Sequence, residues 1–268
     1  MESSRILVKE DEMRRLATMT LLGLALASPA AAECPPDSVP SGTVCMDLYE
    51  ASVWQVPASE KALIGKIQKG TATLANLTSA GAVQLGLAIG DLAAAGCQAT
   101  GNGCLDVYAV SIPGVTPAAF ITWFQAAAAA RNAHKRLPTN QEWQVAALGT
   151  PDAGDNGTTT CNTDNLIPGV GATGSRPACI SDVGAFDMVG NVWEWVGDWG
   201  DLGTACTPWP ATFGSDASCV GGPGPSNLPS AWFRGGSRQS LTEAGVFAVN
   251  GRNIPAFSGS EVGFRCVR

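Results

Sequence analysis

The sequence is poor in the residues that most often hold transition metals. It contains a single histidine, His134, and its nine cysteines include no Cys-x-x-Cys pair. Zinc and non-haem iron sites draw mainly on such residues, and one histidine is too few for an iron site. We therefore expect neither zinc nor iron, and we interpret His134, beside Lys135 and Arg136, as a solvent-facing side chain.

Positive charge is also scarce. The chain has 16 lysine and arginine residues against 23 aspartate and glutamate residues, and its formal net charge is −7. Such a chain is repelled by nucleic acids and by anionic membrane surfaces, so we expect neither as a partner. No apolar run is long enough to cross a bilayer, which predicts no transmembrane segment. Glycine (32) and proline (17) are plentiful, which favours loops and turns over long helices.

Residues 1–32 have the features of a secretory signal peptide in the right order. Arg14 and Arg15 precede the apolar run 16–27, and an Ala-Ala-Ala cleavage signal closes the segment. We predict removal of this segment, with Met13 as an alternative start, and export of the mature protein to a periplasm or out of the cell. A buried N-terminal helix is the competing interpretation.

The nine cysteines all follow the predicted signal peptide, and an oxidising compartment favours disulfides. Sequence does not determine connectivity, so we predict pairs from proximity alone. The predicted pairs are Cys34–Cys45, Cys97–Cys104, Cys161–Cys179 and Cys206–Cys219. Cys266 is left over and lies among apolar residues, which favours a buried, inert thiol over a nucleophile.

Two helices are indicated in the middle of the chain. For the first, Thr116 is the expected cap, Pro117 the first turn, and apolar residues recur at helical spacing over 118–133. The second begins at the capping box Thr139-Asn140-Gln141-Glu142 and ends before Gly149.

The rest of the chain has weaker signals. Residues 33–54 are typical of a short hairpin, and residues 55–107, which carry no motif, are predicted as short strands and loops. We found no tandem repeat or low-complexity linker, so residues 33–268 are predicted to form a single domain.

Three motifs occur in an order that is typical of one family. They are Arg136-Leu137-Pro138-Thr139 with Glu142-Trp143, then Asp187-Met188-Val189-Gly190-Asn191-Val192-Trp193-Glu194-Trp195, then Arg234-Gly235-Gly236-Ser237 with Gly263-Phe264-Arg265-Cys266. With them the chain resembles the formylglycine-generating enzyme, or sulfatase-modifying factor, family, loosely over residues 34–268. The resemblance implies an α+β fold, a variant of the C-type-lectin fold with two helices, small twisted antiparallel sheets and much irregular loop.

The catalytic residues of that family are missing. Its active enzymes oxidise a substrate cysteine with copper, held by two cysteines shortly after the Arg-Gly-Gly-Ser motif. By spacing, those positions are Ser240 and Gly245 here, and no cysteine lies between Cys219 and Cys266. We therefore expect no catalytic cysteine, no copper and no formylglycine-generating activity.

The resemblance also implies one calcium site at the turn of the second motif. In the family, two side-chain oxygens and two backbone carbonyls hold the ion. The matching positions are the side chains of Asp187 and Glu194 and the carbonyls of Gly190 and Val192. These are the hard oxygen donors that calcium prefers, so a structural Ca²⁺ is predicted. The competing interpretation is that Asp187 caps a turn and Glu194 forms an ion pair with Arg265.

Two interpretations are open for the tryptophans and for the arginines in and near these motifs. Trp193, Trp195 and Trp199 belong either to a binding face or to the core, and the motif favours the core for the first two. Arg234 and Arg265 are either ligand contacts or buried ion-pair partners of the scaffold, and we favour the scaffold interpretation.

The segment between the two halves of the third motif is similar to the variable region of retroelement-diversified proteins, which display changeable residues on the same lectin-like scaffold. Its mixture of polar and aromatic residues is typical of an adaptable recognition surface, although an ordinary loop is the alternative. We predict a ligand surface within residues 238–261. Its predicted contact residues are Arg238, Gln239, Ser240, Glu243, Arg252, Asn253, Phe257 and Glu261.

These observations favour an exported, non-catalytic binding protein whose ligand is a protein, a peptide or a glycan. One alternative is an enzyme of the same family with copper-independent chemistry, for example small-molecule or peptide modification. Another is a structural envelope protein strengthened by disulfides. A deep cavity with perturbed carboxylates beneath Ser237 and Ser240 would favour an enzyme, and a flat exposed face would favour binding.

Overall fold

A computed structural model describes residues 33–222 and 228–268, so the predicted signal peptide lies outside the described residues. The strands are β1 (Ser38–Ser41), β2 (Val44–Asp47), β3 (Ser52–Gln55), β4 (Val83–Leu85), β5 (Val107–Val110), β6 (Trp193–Asp201), β7 (Ala205–Pro208), β8 (Ala217–Gly221), β9 (Pro229–Arg234), β10 (Val249–Asn250) and β11 (Val262–Phe264). The helices are α1 (Lys61–Gln68), α2 (Leu74–Ser79), α3 (Asp91–Ala94), α4 (Trp123–Asn132) and α5 (Asn140–Ala147), with 3₁₀ turns at Ala211–Phe213 and Leu241–Glu243. None of the helices in these ranges has the length and hydropathy for a bilayer crossing.

The strands form three small sheets, as expected for this α+β fold. β1 and β2 make a two-stranded hairpin, which confirms the predicted entry hairpin, and a second sheet has the order β4-β3-β5. The largest sheet has the order β11-β6-β9-β10-β8-β7. Two of its pairs, β11 with β6 and β10 with β8, are parallel, so the expectation of antiparallel sheets holds only in part. Parallel pairs arise because long loops return the chain in the same direction.

The second predicted helix is confirmed, and the first begins later than predicted. In α5, the Thr139 hydroxyl accepts a hydrogen bond from the Glu142 N–H at 3.1 Å, as the capping box requires. α4 is capped by Thr122 rather than Thr116. The N–H groups of residues 118–120 donate to carbonyls of distant segments instead, and this holds the backbone outside the helix.

The region 55–107, predicted as strands and loops, contains three helices, so that prediction was wrong in part. α1 buries Leu63 and Ile67, which lie four residues apart on one face. The Thr73 hydroxyl caps α2 by accepting from the Asn76 N–H at 3.2 Å. Helices this short depend on packing for their stability, which is why their sequence signal is weak.

The core tryptophans and the disulfides match the predictions made from the sequence. All four predicted disulfides are present, and Cys266 is a buried free thiol. Trp193 and Trp195 lie in the core, where both rings pack on Phe233 with centroids 5.1 and 4.9 Å away. Trp199, further along β6, is 42% exposed.

Candidate functional site

The second motif contributes to a buried cluster of charged side chains. The carboxylate of Glu194, on β6, is held by Arg265, which follows β11 directly. Its Oε1 accepts from Arg265 Nη2 at 2.6 Å, and its Oε2 accepts from Arg265 Nε at 2.7 Å and from Trp143 Nε1 at 2.6 Å. Both charged side chains are almost fully buried. The ion pair that the sequence offered as the alternative to calcium is therefore confirmed.

Two further carboxylates complete this cluster. Asp187 Oδ2 accepts from the Gly174 N–H at 2.8 Å, and burial raises the pKa of Asp187 to about 6. Glu50, which the sequence analysis missed, accepts from the Val192 N–H at 3.2 Å and from the Asn191 side chain. Burial, and then the charges of Asp187 and Glu194, raise the pKa of Glu50 well above its ordinary value. Glu50 lies more than 140 positions from its partners, so no local pattern marks it.

These contacts do not fit the implied calcium site. Both oxygens of Glu194 are saturated by N–H donors, and its charge is neutralised by Arg265. The set Asp187, Gly190, Val192 and Glu194 therefore stays a prediction that this geometry does not support.

Ser240, the first position at which the motif spacing predicts a family cysteine, is part of a hydroxyl–carboxylate group. Ser240 Oγ accepts from the Ser237 N–H at 2.9 Å, and the two hydroxyl oxygens are 3.4 Å apart. The Ser237 hydroxyl donates to Glu261 Oε2 at 3.1 Å, and Arg238 Nη1 lies 3.7 Å from the same oxygen. The structure thus brings three of the predicted contact residues together: Arg238, Ser240 and Glu261.

The second such position is Gly245, and the space beside it is filled by a carboxylate from the residue before β8. A Cβ built on Gly245 would lie 2.2 Å from both carboxylate oxygens of Asp216, which begins the approach to β8. Asp216 is 1% exposed, its Oδ2 accepts from the Phe247 N–H at 2.7 Å, and burial raises its pKa to about 6. No side chain on residue 245 fits while Asp216 keeps this position. Sequence reasoning missed Asp216 because it lies about 30 residues away.

Two other predicted contact residues touch this group through their backbone: the Gln239 N–H donates to the Ser237 hydroxyl at 3.3 Å, and the Glu243 N–H donates to the Ser240 carbonyl at 2.9 Å. Gln239, Glu243, Arg252 and Phe257 are exposed, and Asn253 is half-buried. The Arg252 guanidinium donates to the sulfur of the disulfide-bonded Cys206 at 3.5 Å.

The backbone of segment 238–261 is anchored to the scaffold at intervals. Its hydrogen bonds to the scaffold include Arg238 N to Asn191 O (3.0 Å), Leu241 N to Thr163 O (2.8 Å), Gly245 N to Gly235 O (3.1 Å), Gly251 N to Cys219 O (3.0 Å) and Trp193 N to Glu261 O (2.7 Å). The segment therefore presents its side chains from a fixed backbone.

Arg234, predicted as an ion-pair partner, has a different role. It donates to Asn140 Oδ1 at 3.1 Å, to Gln144 Oε1 and to the Val246 carbonyl at 3.0 Å. Its guanidinium lies 4.8 Å from the ring centroid of Trp143, a cation–π contact. Arg234 thus ties α5 to Val246 within the segment, as a scaffold residue rather than as half of an ion pair.

The family model described as "Sulfatase-modifying factor enzyme 1-like domain" matches residues 91–268, more than half of the chain. The chain belongs to this family. A formylglycine-generating enzyme from Thermomonospora curvata is 31% identical over 171 residues, 56% of this chain and 54% of that protein. A hercynine oxygenase from Mycolicibacterium smegmatis is 33% identical over 109 residues, 37% of this chain and 24% of that protein. The chain spans about half the length of the formylglycine-generating enzymes it matches.

Solved structures with a similar fold include the Major Tropism Determinant M1 variant, with a TM-score of 0.49 and 20% identity. That match covers 89% of this chain and 53% of the other. PvdO from Pseudomonas aeruginosa matches with a TM-score of 0.41 and 17% identity, over 84% of this chain and 80% of the other. At these identities and scores the likeness concerns the fold and says nothing of a ligand.

Proposed function

We propose that this protein is an exported, non-catalytic recognition protein built on the formylglycine-generating-enzyme scaffold, with its ligand surface in residues 238–261. Its ligand is a protein, a peptide or a glycan. The observation that carries the proposal is the carboxylate of Asp216, which occupies the space of a side chain on residue 245.

The non-catalytic role is supported by the residues at positions 240 and 245. Copper(I) needs soft thiolate ligands, and a serine and a glycine stand at the two family positions. The free thiol that is present, Cys266, is buried, and burial raises its pKa well above the ordinary value. A thiol of that kind is a poor metal ligand and a poor nucleophile, because both roles need the thiolate.

The recognition role is supported by the way in which segment 238–261 is displayed. Its backbone is anchored, while polar and apolar side chains face outward; Leu241 is 54% exposed, Ile254 40% and Phe257 38%. A fixed backbone lowers the conformational entropy lost on binding, and exposed apolar side chains supply contact area. Export is supported by the N-terminal pattern of the sequence and by four disulfides, which are typical of oxidising compartments.

An enzyme with copper-independent chemistry is the second candidate. It is favoured by the hydrogen bond from the Ser237 hydroxyl to Glu261 and by the raised pKa of Asp216. However, neither Ser237 nor Ser240 lines the cavity beside Trp123 and Arg131 or the cavity beside Asp152 and Leu241. We therefore place recognition first.

The experiment is a binding screen of the purified mature protein against peptide, glycan and envelope-protein arrays. For a ligand found in this way, we expect the triple variant Arg238→Ala, Arg252→Ala, Phe257→Ala to lose binding. The matched control replaces two exposed cations and one exposed apolar residue outside the segment: Lys61→Ala, Lys66→Ala and Ile89→Ala. Equal binding by both variants would show that segment 238–261 does not form the ligand surface. Conversion of a cysteine peptide to an aldehyde by the unmodified protein with copper would refute the non-catalytic role.

A further inference from the structure

A cavity of about 290 Å³ is lined by α4, by the residues that follow it and by β6. The lining residues that matter here are Trp123, Ala127, Arg131, Lys135, Arg136 and Gly197. Ligand pockets usually begin at about 300 Å³, so this one suits a small organic molecule. None of its lining residues belongs to segment 238–261, so it is separate from the ligand surface proposed above.

The cavity is left open by two small residues among larger ones. Trp123, Ala127 and Arg131 follow one another at four-residue intervals on α4, so they form a single row on one helix face. Ala127 is the short member of that row. On β6, Gly197 has no side chain, although a Cβ built there would make only ordinary contacts, with two backbone carbonyl oxygens at 3.5 and 3.8 Å. The space beside Ala127 and Gly197 is therefore free for a ligand, and a side chain at residue 197 would fill part of it.

Trp123 forms a fixed aromatic wall at one end of this row. Its Nε1 donates to the Val196 carbonyl at 2.8 Å, and its ring packs edge-on against Trp199 and Phe124, with centroids 5.0 and 5.6 Å away. Because the indole N–H is already used, the ring offers a ligand stacking and apolar contact rather than a hydrogen bond. A side chain that is held in place loses little conformational entropy when a ligand binds.

The charge of the cavity comes from Arg131, at the other end of the row. The Lys135 ammonium is bound by two aspartates at 2.6 Å, and Arg136 is bound by Glu142 at 2.7 Å, so both of these cations are neutralised. Among the described residues, the exposed Arg131 side chain has no ion pair and no hydrogen bond, and the cavity lining in that part of the chain contains no carboxylate. An unpaired guanidinium beside an aromatic wall favours an organic anion as the ligand.

We propose that this cavity binds an aromatic carboxylate, with the ring against Trp123 and Ala127 and the carboxylate on the Arg131 guanidinium. A guanidinium presents paired N–H donors that match the two oxygens of a carboxylate. The ligand is a free arylalkanoic acid or the C-terminal aromatic residue of a peptide, since both carry the same ring and the same carboxylate. The site goes beyond the proposed function, because segment 238–261 contributes no residue to its lining.

The test is an NMR titration of the ¹⁵N-labelled mature protein with 3-phenylpropionate. Its neutral, nearly isosteric amide, 3-phenylpropanamide, and propionate, which lacks the ring, form two parallel arms, and N-acetylphenylalanine forms a third. We expect saturable shifts of the Trp123 Nε1–H and Gly197 N–H signals with 3-phenylpropionate, and at least tenfold weaker binding of the amide and of propionate. Tighter binding of N-acetylphenylalanine identifies a peptide C-terminus, and equal or weaker binding identifies a free acid; both support the shared chemistry. Equal binding of the amide or of propionate, or no saturable shift with either aromatic carboxylate, overturns it.

Two variants locate the site. Arg131→Gln removes the charge, and we expect it to weaken 3-phenylpropionate binding about tenfold or more while Tm changes by less than about 2 °C, because no ion pair is lost. Gly197→Val places a side chain in the cavity and should abolish the shifts. The exposed Lys61→Gln, outside the lining, is the matched control and should change the affinity less than about twofold.

Unchanged affinity in Arg131→Gln overturns the assignment even if Gly197→Val fails to fold. If both aromatic carboxylates fail while the array ligand still needs Arg238, Arg252 and Phe257, this inference falls and the proposed function stands.

Discussion

Arg265 is the cation that pairs with Glu194 in the buried carboxylate cluster. Replacing it with methionine tests how much this ion pair contributes to the stability of the fold. Arg265→Met keeps most of the side-chain volume but leaves Glu194 without its cation, beside Glu50 and Asp187. Removing one partner of a buried ion pair typically costs about 3–5 kcal/mol. The Phe186 carbonyl, which accepts from Arg265 Nη2 at 2.8 Å, also loses its donor. Protonation of Glu194 would offset part of this, so we take about 4 kcal/mol.

For a domain of this size, about 1 kcal/mol lowers Tm by roughly 2–4 °C, so we expect a fall of about 8–16 °C at pH 7. Thermal unfolding followed by circular dichroism, with the disulfides intact, measures it. The exposed Arg131→Met is the matched control and should shift Tm by less than 2 °C, about 0.5 kcal/mol. Adding Glu194→Gln to Arg265→Met should recover part of the loss, because it removes the unpaired charge. A Tm loss no larger than that of the control would refute this account and return Glu194 to the calcium hypothesis.

Three further predictions concern protons, metals and the missing cysteines. Burial raises the pKa of Asp47, Asp187 and Asp216 from 3.8 to about 6, so between pH 4 and 6 the folded chain binds protons that the unfolded chain does not. The stability should therefore rise as the pH falls from 8 to 5.5, measured as Tm, and a fall over that range would contradict these shifts. Dialysis against EDTA should leave Tm within 1 °C, whereas a calcium-dependent rise of several degrees would restore the predicted site. Ser240→Cys with Gly245→Cys should not form aldehyde on a cysteine peptide with copper, as read by mass spectrometry, because Asp216 blocks residue 245; activity in this variant would disprove the steric argument.

Features that depend on near neighbours in the chain were predictable from the sequence. The four disulfides join cysteines 7 to 18 residues apart, and the capping box of α5 spans four residues. The buried Trp193 and Trp195 follow from the motif in which they occur. In each case the partner lies close by or within a family motif, so its identity is visible in a short stretch of sequence.

The sequence by itself thus determined the family, the core tryptophans and the absence of cysteine at residues 240 and 245, and proximity along the chain predicted the disulfides. Only the tertiary structure decided the rest: the late start of α4, the convergence of Glu50 on the second motif, and the carboxylate of Asp216 against Gly245. These depend on segments about 30 to more than 140 residues apart. Long-range contacts depend on how the whole core packs, and no local periodicity or spacing encodes them.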